Sequence, residues 1–297
     1  MKNNLLLAFL ILAGAFTPIF GKLTVAEISP ISLGFLRFGT AAVLFIITLK
    51  LRKQPEASRI KFDKADYPKL VLMGLLCIPL NQFFFLTGVK FSYASHSGII
   101  YSLNPVFAYL IAVTRKTEKF YISKMLAILL TIIGIFFVFY EGIRQPHSAD
   151  SVLLGDTLLV FAVLTFSSYL ALGKEIIAKY GALKTTSAVF TIGTIAYFPL
   201  FIYDLPNLTF NELTYKGIIG FIFLSIIVAY LAYFLWFYVL KTVQLSKLTT
   251  FTNLSPLLTV FFSVIFLSEQ ISLYLILGGI ITVAGVFLMH RASLEFS

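Results

Sequence analysis

Charged side chains are scarce in this chain. Only 12% of its 297 residues are Asp, Glu, Lys or Arg, whereas 59% are hydrophobic, and a soluble domain carries about 25% charged residues. So few charges do not cover a water-exposed surface of this size. The scarcity therefore excludes an ordinary soluble domain and predicts that most of the chain lies in a lipid bilayer.

Residues that carry catalysis, metal binding and disulfides are also few. The chain has one cysteine and three histidines, and the histidines are too scattered to form a metal site. Neither the HExxH pattern nor the GxSxG pattern is present, and no glycine-rich loop is placed to hold a phosphate. We therefore expect no metal, no cofactor and no enzymatic activity.

Acidic residues are outnumbered by basic ones, 13 to 23, which gives a net charge of +10. Such an excess can indicate nucleic-acid binding. Here the basic residues lie in short loops between apolar segments, where they set the orientation of a membrane protein. We therefore expect a lipid bilayer and a small-molecule solute as partners, and no nucleic acid. The distribution of Lys and Arg predicts a multi-pass protein of the cell inner (plasma) membrane with both termini cytoplasmic.

Long apolar runs are abundant, and roughly 20 apolar residues are enough to cross the hydrocarbon core. Because no convincing cleavage site follows the first run, we interpret that run as a helix rather than as a signal peptide. The sequence predicts an all-α membrane protein with ten transmembrane helices, and the divisions near Lys90 and Glu269 are the least distinct. The predicted spans are 4–21, 31–50, 68–89, 93–114, 121–140, 153–173, 186–203, 215–239, 246–267 and 271–290.

Part of the sequence is duplicated. The stretch from Lys90 to Tyr140 recurs 151 residues later without a gap. The identical pairs are Lys90 and Lys241, Ser95 and Ser246, Leu103 and Leu254, Pro105 and Pro256, Val113 and Val264, Glu118 and Glu269, Thr131 and Thr282, Gly134 and Gly285, and Phe136 and Phe287. We predict two five-helix repeats, at 1–145 and 151–292. Because five is odd, the second repeat inserts upside down, the inverted-repeat plan of secondary transporters.

The fourth and fifth helices of each repeat carry a common set of motifs. They are Tyr93-Ala94-Ser95, Leu103-Asn104-Pro105, Glu118 and Gly134 in the first copy, and Leu245-Ser246, Leu254-Ser255-Pro256, Glu269 and Gly285 in the second. This set resembles the ten-helix, EamA-type members of the drug/metabolite transporter superfamily over nearly the whole chain. The resemblance implies an exporter or exchanger of small metabolites. It also implies that the last helix of each repeat lies outside the central cavity.

Polar side chains inside the predicted spans are the candidates for solute binding, because hydrocarbon offers them no hydrogen-bond partners. The alternative is that they bond their own backbone or join helices together. Tyrosine and tryptophan can also provide flat walls with polar tips, which suit a zwitterionic or cationic organic solute. The candidates are Thr17, Arg37, Asn81, Gln82, Ser97, Tyr101, Asn104, Tyr169, Tyr230, Tyr233, Trp236 and Asn253.

Four residues within the predicted spans can each be interpreted in two ways. Arg37 either binds a solute carboxylate or clamps carbonyls at helix ends. His96 either carries a coupling proton, because imidazole titrates near neutral pH, or serves as a packing residue near the membrane surface. Small relatives in the superfamily couple protons through a Glu of the first helix, and the first helix here contains no acid. Pro105 and Pro256 are predicted gating kinks, or else kinks that only aid packing.

The leading functional prediction is an integral membrane transporter that moves a small organic metabolite, an amino acid or similar amphipathic solute, by alternating access. It is predicted to act as an exporter or exchanger, as a monomer or a homodimer. The alternatives are a membrane-embedded enzyme and a non-transporting membrane scaffold. Glu118 and Glu269 are expected to be structural, each favouring the positive end of the helix that follows it.

Overall fold

The computed structural model describes residues 2–51, 61–144, 149–208, 213–236 and 254–295. All regular secondary structure within these ranges is helical. We number ten helices in chain order. They are α1 (Lys2–Val25), α2 (Pro30–Leu51), α3 (Lys64–Phe91), α4 (Ala94–Thr114), α5 (Ile122–Arg144), α6 (Ala149–Tyr180), α7 (Ala182–Asp204), α8 (Tyr215–Trp236), α9 (Leu254–Leu267) and α10 (Leu273–Glu295).

The predicted all-α membrane fold is confirmed. Eight of these helices are long and apolar enough to cross a membrane, and two shorter apolar helices, Leu254–Leu267 and Leu273–Met289, follow them among the described residues. The two hairpins that were hardest to divide are resolved into separate helices. One division falls between Phe91 and Ala94, and the other falls around Glu269, between α9 and α10.

Helix α6 is longer than predicted and runs on to Tyr180. Its last turns carry charges that bind the start of α3. Glu175 lies 3.0 Å from the Lys69 ammonium, and the Lys179 ammonium lies 2.8 Å from Asp66. Because these groups have partners outside the apolar core, the helix continues after its apolar run has ended. We call this end of the bundle the Lys179 end.

Helices α5 and α10 pack closely and do so through equivalent positions of the duplication. A side chain on Gly134 would collide with Thr282, and a side chain on Gly285 would collide with Thr131. Thr131 and Gly134 are the counterparts of Thr282 and Gly285, so each repeat inserts its threonine against the other's glycine. This reciprocal contact is what a two-fold relation between the repeats produces, and it lies within one chain.

The other contacts between the repeats come in matching pairs. Helix α1 packs on α8 and α9, and its counterpart α6 packs on α3 and α4. The carboxylate of Glu269, just after α9, accepts hydrogen bonds from the amides of Ala94 and Ser95 at the start of α4, at 2.7 and 3.0 Å. The equivalent helices α4 and α9 therefore run in opposite directions, as an inverted repeat requires. We call this end of the bundle the Glu269 end.

Three segments in the interior of the described helices depart from α-helical geometry. A π-helical stretch, Leu76–Leu80, interrupts α3 at Pro79, and another, Phe223–Ala232, lies in α8. A 3₁₀ turn, Tyr101–Leu103, comes just before Pro105 in α4. Proline lacks the amide hydrogen that α-helical bonding needs, which accounts for the breaks in α3 and α4. The two π segments occupy corresponding positions of the two repeats, and such turns occur frequently at functional sites.

Candidate functional site

A chain of buried polar side chains, which we call the central polar network, consists of Arg37, Gln82 and Asn81. The Arg37 Nη1 donates to Gln82 Oε1 at 3.1 Å, and Gln82 Nε2 donates to Asn81 Oδ1 at 2.6 Å. Asn81 Nδ2 donates to the carbonyl of Ala162 at 2.7 Å. The network therefore links α2 and α3 of the first repeat to α6 of the second.

Arg37 also reaches the second repeat directly. Its Nε donates to the carbonyl of Leu224, at 2.9 Å, within the π-helical stretch of α8. Within the described part of the chain no carboxylate lies within ion-pair distance of Arg37, although its side chain is buried. A guanidinium has more donors than these two bonds use. The arrangement is compatible with both roles predicted for Arg37.

Two of the predicted tyrosines surround the network. Tyr101 and Tyr233 are close enough to the Arg37 guanidinium to interact with it electrostatically. The Tyr101 ring packs edge-on against Phe85, with ring centres 5.5 Å apart. The Tyr233 ring packs edge-on against Phe190 at 5.2 Å. Arg37, Asn81, Gln82, Tyr101 and Tyr233 thus come together as one group.

Three other predicted residues have contacts outside the central polar network. The Thr17 hydroxyl donates to the carbonyl of Ala13, one turn earlier in its own helix, at 2.7 Å. The Tyr230 hydroxyl bonds the Thr48 hydroxyl at 2.6 Å. Trp236 packs on the buried Leu7 of α1. None of these contacts involves Arg37, Gln82 or Asn81.

Three predicted residues lie along α4 and α6. Asn104 accepts a hydrogen bond from the Ser167 hydroxyl at 2.6 Å, which ties α4 to α6. Tyr169 is buried and its ring packs near Phe166. The Ser97 hydroxyl is buried without a hydrogen-bond partner among the described residues, and the Ser225 hydroxyl on α8 is in the same state.

His96 is buried at the Glu269 end between two acids that the sequence analysis did not single out. Its Nδ1 lies 2.9 Å from Asp156 Oδ2, and its Nε2 lies 3.5 Å from Glu141 Oε2. The Ser92 hydroxyl donates to the other oxygen of Asp156. Asp156 falls inside the predicted span 153–173, so an acid in an apolar run was the signal that could have identified it.

Three carboxylates at the Glu269 end each bind the start of a helix in the other repeat, and we call them the cross-repeat caps: Glu27, Asp204 and Glu269. Glu27 accepts from the amide and hydroxyl of Thr214, at 2.9 and 2.6 Å, beside α8. Asp204 accepts from the amide and hydroxyl of Ser32, at 3.1 and 2.7 Å, in α2. Glu269 binds the start of α4, whereas the sequence predicted that it would stabilise the start of α10.

A surface depression of 470 Å³ opens beside these caps, between the turn from α1 to α2 and the ends of α3 and α7. Glu27, Ser29, Lys90 and Asp204 contribute its polar lining, and Phe83 contributes part of the apolar lining. None of the predicted solute-binding residues lines it. The depression is therefore separate from the central polar network.

The structure describes the helix on both sides of Pro105, but only two residues before Pro256. Pro105 directly follows the 3₁₀ turn, so the helix is interrupted where the kink was predicted. Pro256 lies in the first turn of the described part of α9 and is buried. The gating role of both prolines stays a prediction. Asn253 lies outside the described residues.

The model of the EamA-like transporter family matches residues 1–140 and 153–291 of this chain. An uncharacterized transporter of Archaeoglobus fulgidus is 26% identical over 289 residues, which cover 97% of this chain and 96% of that protein. The uncharacterized transporter YyaM of Bacillus subtilis is 25% identical over 283 residues, which cover 95% and 91%. A solved crystal structure matches 98% of this chain and 97% of its own, with a TM-score of 0.67 and 15% identity, a likeness that shows the fold alone.

Proposed function

Because the chain belongs to the EamA-like transporter family, we propose that it moves a small organic metabolite across the membrane by alternating access. The solute is an amino acid or a similar amphipathic molecule, and the protein acts as an exporter or exchanger. The two repeats rock against each other, so that the central polar network faces one side of the membrane and then the other.

The observation that carries this proposal is the set of cross-repeat caps. All three join one repeat to the other at a single end of the bundle, and each binds backbone amides or hydroxyls at a helix start. A carboxylate is stabilised there by the helix dipole. When the end opens, water can hydrogen-bond both partners. The caps can therefore hold the Glu269 end closed and release it without breaking the fold.

The central polar network supports a solute site at the level where the helices are irregular. Arg37 contacts the carbonyl of Leu224 in one π segment, and Asn81 directly follows the other, Leu76–Leu80. Backbone groups released by such turns can bond a solute in one state and a side chain in another. The unpartnered hydroxyls of Ser97 and Ser225 offer further donors, and Tyr101 and Tyr233 provide aromatic walls.

We assign the Lys179 end to the cytoplasm and the Glu269 end to the outside of the inner membrane. The loops at the Lys179 end carry most of the Lys and Arg residues, and cytoplasmic loops are enriched in them. In this orientation the cross-repeat caps form the outer gate. The reciprocal packing of α5 on α10 buries their small residues within one chain, so a monomer is sufficient for the proposed cycle and a homodimer is not required by it.

Exchange across proteoliposomes tests the proposed function. Vesicles that contain the full-length protein are loaded with an equimolar mixture of the standard amino acids, and radiolabelled amino acids are supplied outside one at a time. We expect accumulation of at least one of them in excess of protein-free vesicles. The control variant is Phe136→Ala, because Phe136 is 67% exposed on α5 and faces away from the network. No accumulation with any amino acid would refute this solute class.

Arg37 distinguishes solute binding from a structural clamp. If Arg37 binds the solute carboxylate, Arg37→Gln raises the KM of exchange by about tenfold or more and leaves the unfolding temperature nearly unchanged. If it clamps the carbonyl of Leu224, the same variant lowers the unfolding temperature. Thr17→Ala is the matched control, because Thr17 bonds only its own helix among the described residues.

A further inference from the structure

His96, Asp156 and Glu141 form a buried cluster of titratable side chains. All three side chains are at most 5% exposed. The His96 Nε2 and Glu141 Oε2 atoms face each other at 3.5 Å, yet neither makes a hydrogen bond with a described residue. The residues are not arranged to hold a metal ion. A further proton is the ligand that such a group of atoms can take.

We propose that His96, Asp156 and Glu141 form a proton-binding site, and that proton occupancy controls opening of the Glu269 end. The inference rests on the proposed alternating access. It adds the two acids that His96 needs to act as more than a packing residue, and it places proton binding outside the central polar network.

The geometry allows His96 to carry a proton on each ring nitrogen. His96 faces an acid with each ring nitrogen, Asp156 with Nδ1 and Glu141 with Nε2. An imidazole with protons on both nitrogens donates to Asp156 through Nδ1 and places its Nε2–H beside Glu141 without a hydrogen bond to it. With two ionised carboxylates the cluster then has a net charge of −1. One more proton, taken from water, forms an O–H bond at Glu141 Oε2 and makes the cluster neutral; its release breaks that bond and returns the proton to water.

Lys22 and Glu269 lie near the cluster and carry opposite charges. Lys22 of α1 donates to the carbonyls of Lys90 and Ser92. Its charge interacts with that of Glu269, which follows α9, so these two balance each other. Two uncharged groups also contact the cluster: the Tyr93 ring packs near His96, and the Ser92 hydroxyl bonds Asp156. Because Lys22 and Glu269 have opposite charges, the net charge of these described groups changes with the protonation of the cluster.

The cluster also crosses the boundary between the repeats. His96 and Glu141 belong to the first repeat, whereas Asp156 lies at the start of α6 in the second. The packing there is close, since a side chain on Gly155 would collide with the backbone of Ser92. An uncompensated charge is costly away from water, so the neutral, protonated cluster favours a closed Glu269 end. Loss of the proton favours an end that is open to water, and this couples proton binding to gating.

Infrared difference spectroscopy tests for the bound proton without any solute. Exposed carboxyls titrate near pH 4 and are ionised at about pH 6 and above, so a protonated-carboxyl band there comes from buried ones. We expect the full-length protein to show a protonated-carboxyl band at the lower pH, and Glu141→Gln to lose it. Glu118→Gln is the control, because that side chain is 50% exposed and should leave the band intact. A band that persists in Glu141→Gln, or no band in the wild type, overturns the proposal.

Cysteine labelling tests for coupling to the gate. Ser263 is buried on the face of α9 that carries Thr259 against Gly98, one turn from the Glu269 end. In a Cys77→Ala background, we expect Ser263→Cys to react with a membrane-impermeant maleimide about fivefold faster at high pH, a population shift of this size being typical of coupled sites. Adding Glu141→Gln should make the rate independent of pH, whereas adding Glu118→Gln should not. If the labelling rate is independent of pH both in the Cys77→Ala, Ser263→Cys protein and in the same protein with Glu118→Gln, the proposed coupling between proton binding and the gate is overturned.

Because Asp156→Asn removes a buried cross-repeat contact, its folding is checked by size-exclusion chromatography before it is used as a second variant. If it folds, it should also abolish the pH dependence of labelling. The proposed function and this inference can fail separately. Amino-acid exchange with no carboxyl band refutes only the proton site, and a carboxyl band without exchange refutes only the solute class.

Discussion

The two ends of the bundle are held together by different kinds of contact. At the Glu269 end, carboxylates bind backbone amides and hydroxyls at helix starts; Asp204 is only 5% exposed, whereas the contact between Glu27 and Thr214 is exposed. At the Lys179 end, carboxylates bind ammonium and guanidinium groups, and Glu175 is 53% exposed beside both Lys69 and Arg115. Both sets of contacts cross from one repeat to the other.

The difference in surroundings decides which end is held more strongly. Exposed ion pairs contribute little, because water and salt screen them and long side chains lose entropy when they pair. Hydrogen bonds from buried neutral donors to a carboxylate are stronger, and a donor left unpaired is costly. We infer that the Glu269 end is the more stable closure and that the Lys179 end opens at a lower cost in free energy. This ordering can be tested one contact at a time.

The largest expected effect is that of Asp204→Ala. The substitution removes the acceptor for the Ser29 and Ser32 hydroxyls, the Ser32 amide and the Asn207 side chain. We expect a loss of about 2 to 4 kcal/mol of stability, since the donors at a buried helix start are left unpaired. In detergent, the unfolding temperature should fall by roughly 5 to 10 °C.

The matched control for Asp204→Ala is Glu175→Ala at the Lys179 end. It also removes one carboxylate with several partners, but from an exposed site. We expect a much smaller shift in the unfolding temperature. Equal shifts for the two variants would show that the two ends are held equally and would remove the basis of the comparison.

The next effect is that of Glu269→Gln. One oxygen of the amide can still accept from α4, but the second acceptor and the charge at the positive end of the helix are lost. We expect a loss of about 1 kcal/mol, in the range measured for helix caps. The reaction of Ser263→Cys with the maleimide should also become faster at every pH, because the gate is weakened.

Glu118→Gln is the comparison that the duplication itself supplies, because Glu118 occupies the equivalent position of the first repeat. Its carboxylate is half exposed and lies 3.4 Å from the Lys124 ammonium. An exposed pair of this kind is worth about 0.5 kcal/mol or less. A loss in Glu118→Gln as large as that in Glu269→Gln would mean that sequence symmetry, not burial, governs the two sites.

Sequence patterns predicted the helices because length and hydropathy are local properties. The ten apolar runs and the duplicated positions were visible without a structure, and Thr131 and Gly134 meet their own counterparts. Helix ends were less predictable. Helix α6 continues past its apolar run because Glu175 and Lys179 find partners on α3, and a partner more than a hundred residues away leaves no trace in a local pattern.

Only part of the candidate site was predicted, because sequence patterns show local properties and not distant partners. Arg37, Asn81 and Gln82 were identified as polar residues in apolar runs, and they form one network. Their backbone acceptors, such as the carbonyl of Leu224, depend on π turns that residue types do not specify. Glu269 was assigned to the helix that follows it, because dipole arguments from sequence consider only neighbouring residues, whereas its partners lie in the opposite repeat.

The smallest expected effect lies at the Lys179 end and depends on pH and salt. Lys179, which donates to the exposed Asp63 carboxylate, lowers the pKa of that carboxyl below its ordinary value of 3.8. A lowered folded-state pKa stabilises the protein above the unfolded pKa, and this stabilisation is lost as the pH falls through the folded value. The unfolding temperature of Asp63→Asn should therefore lie slightly below that of the wild type at neutral pH. The difference should shrink below about pH 4 and at about 1 M salt, which screens exposed pairs. If the difference in unfolding temperature persists in high salt, the contacts at the Lys179 end are stronger than expected for exposed ion pairs.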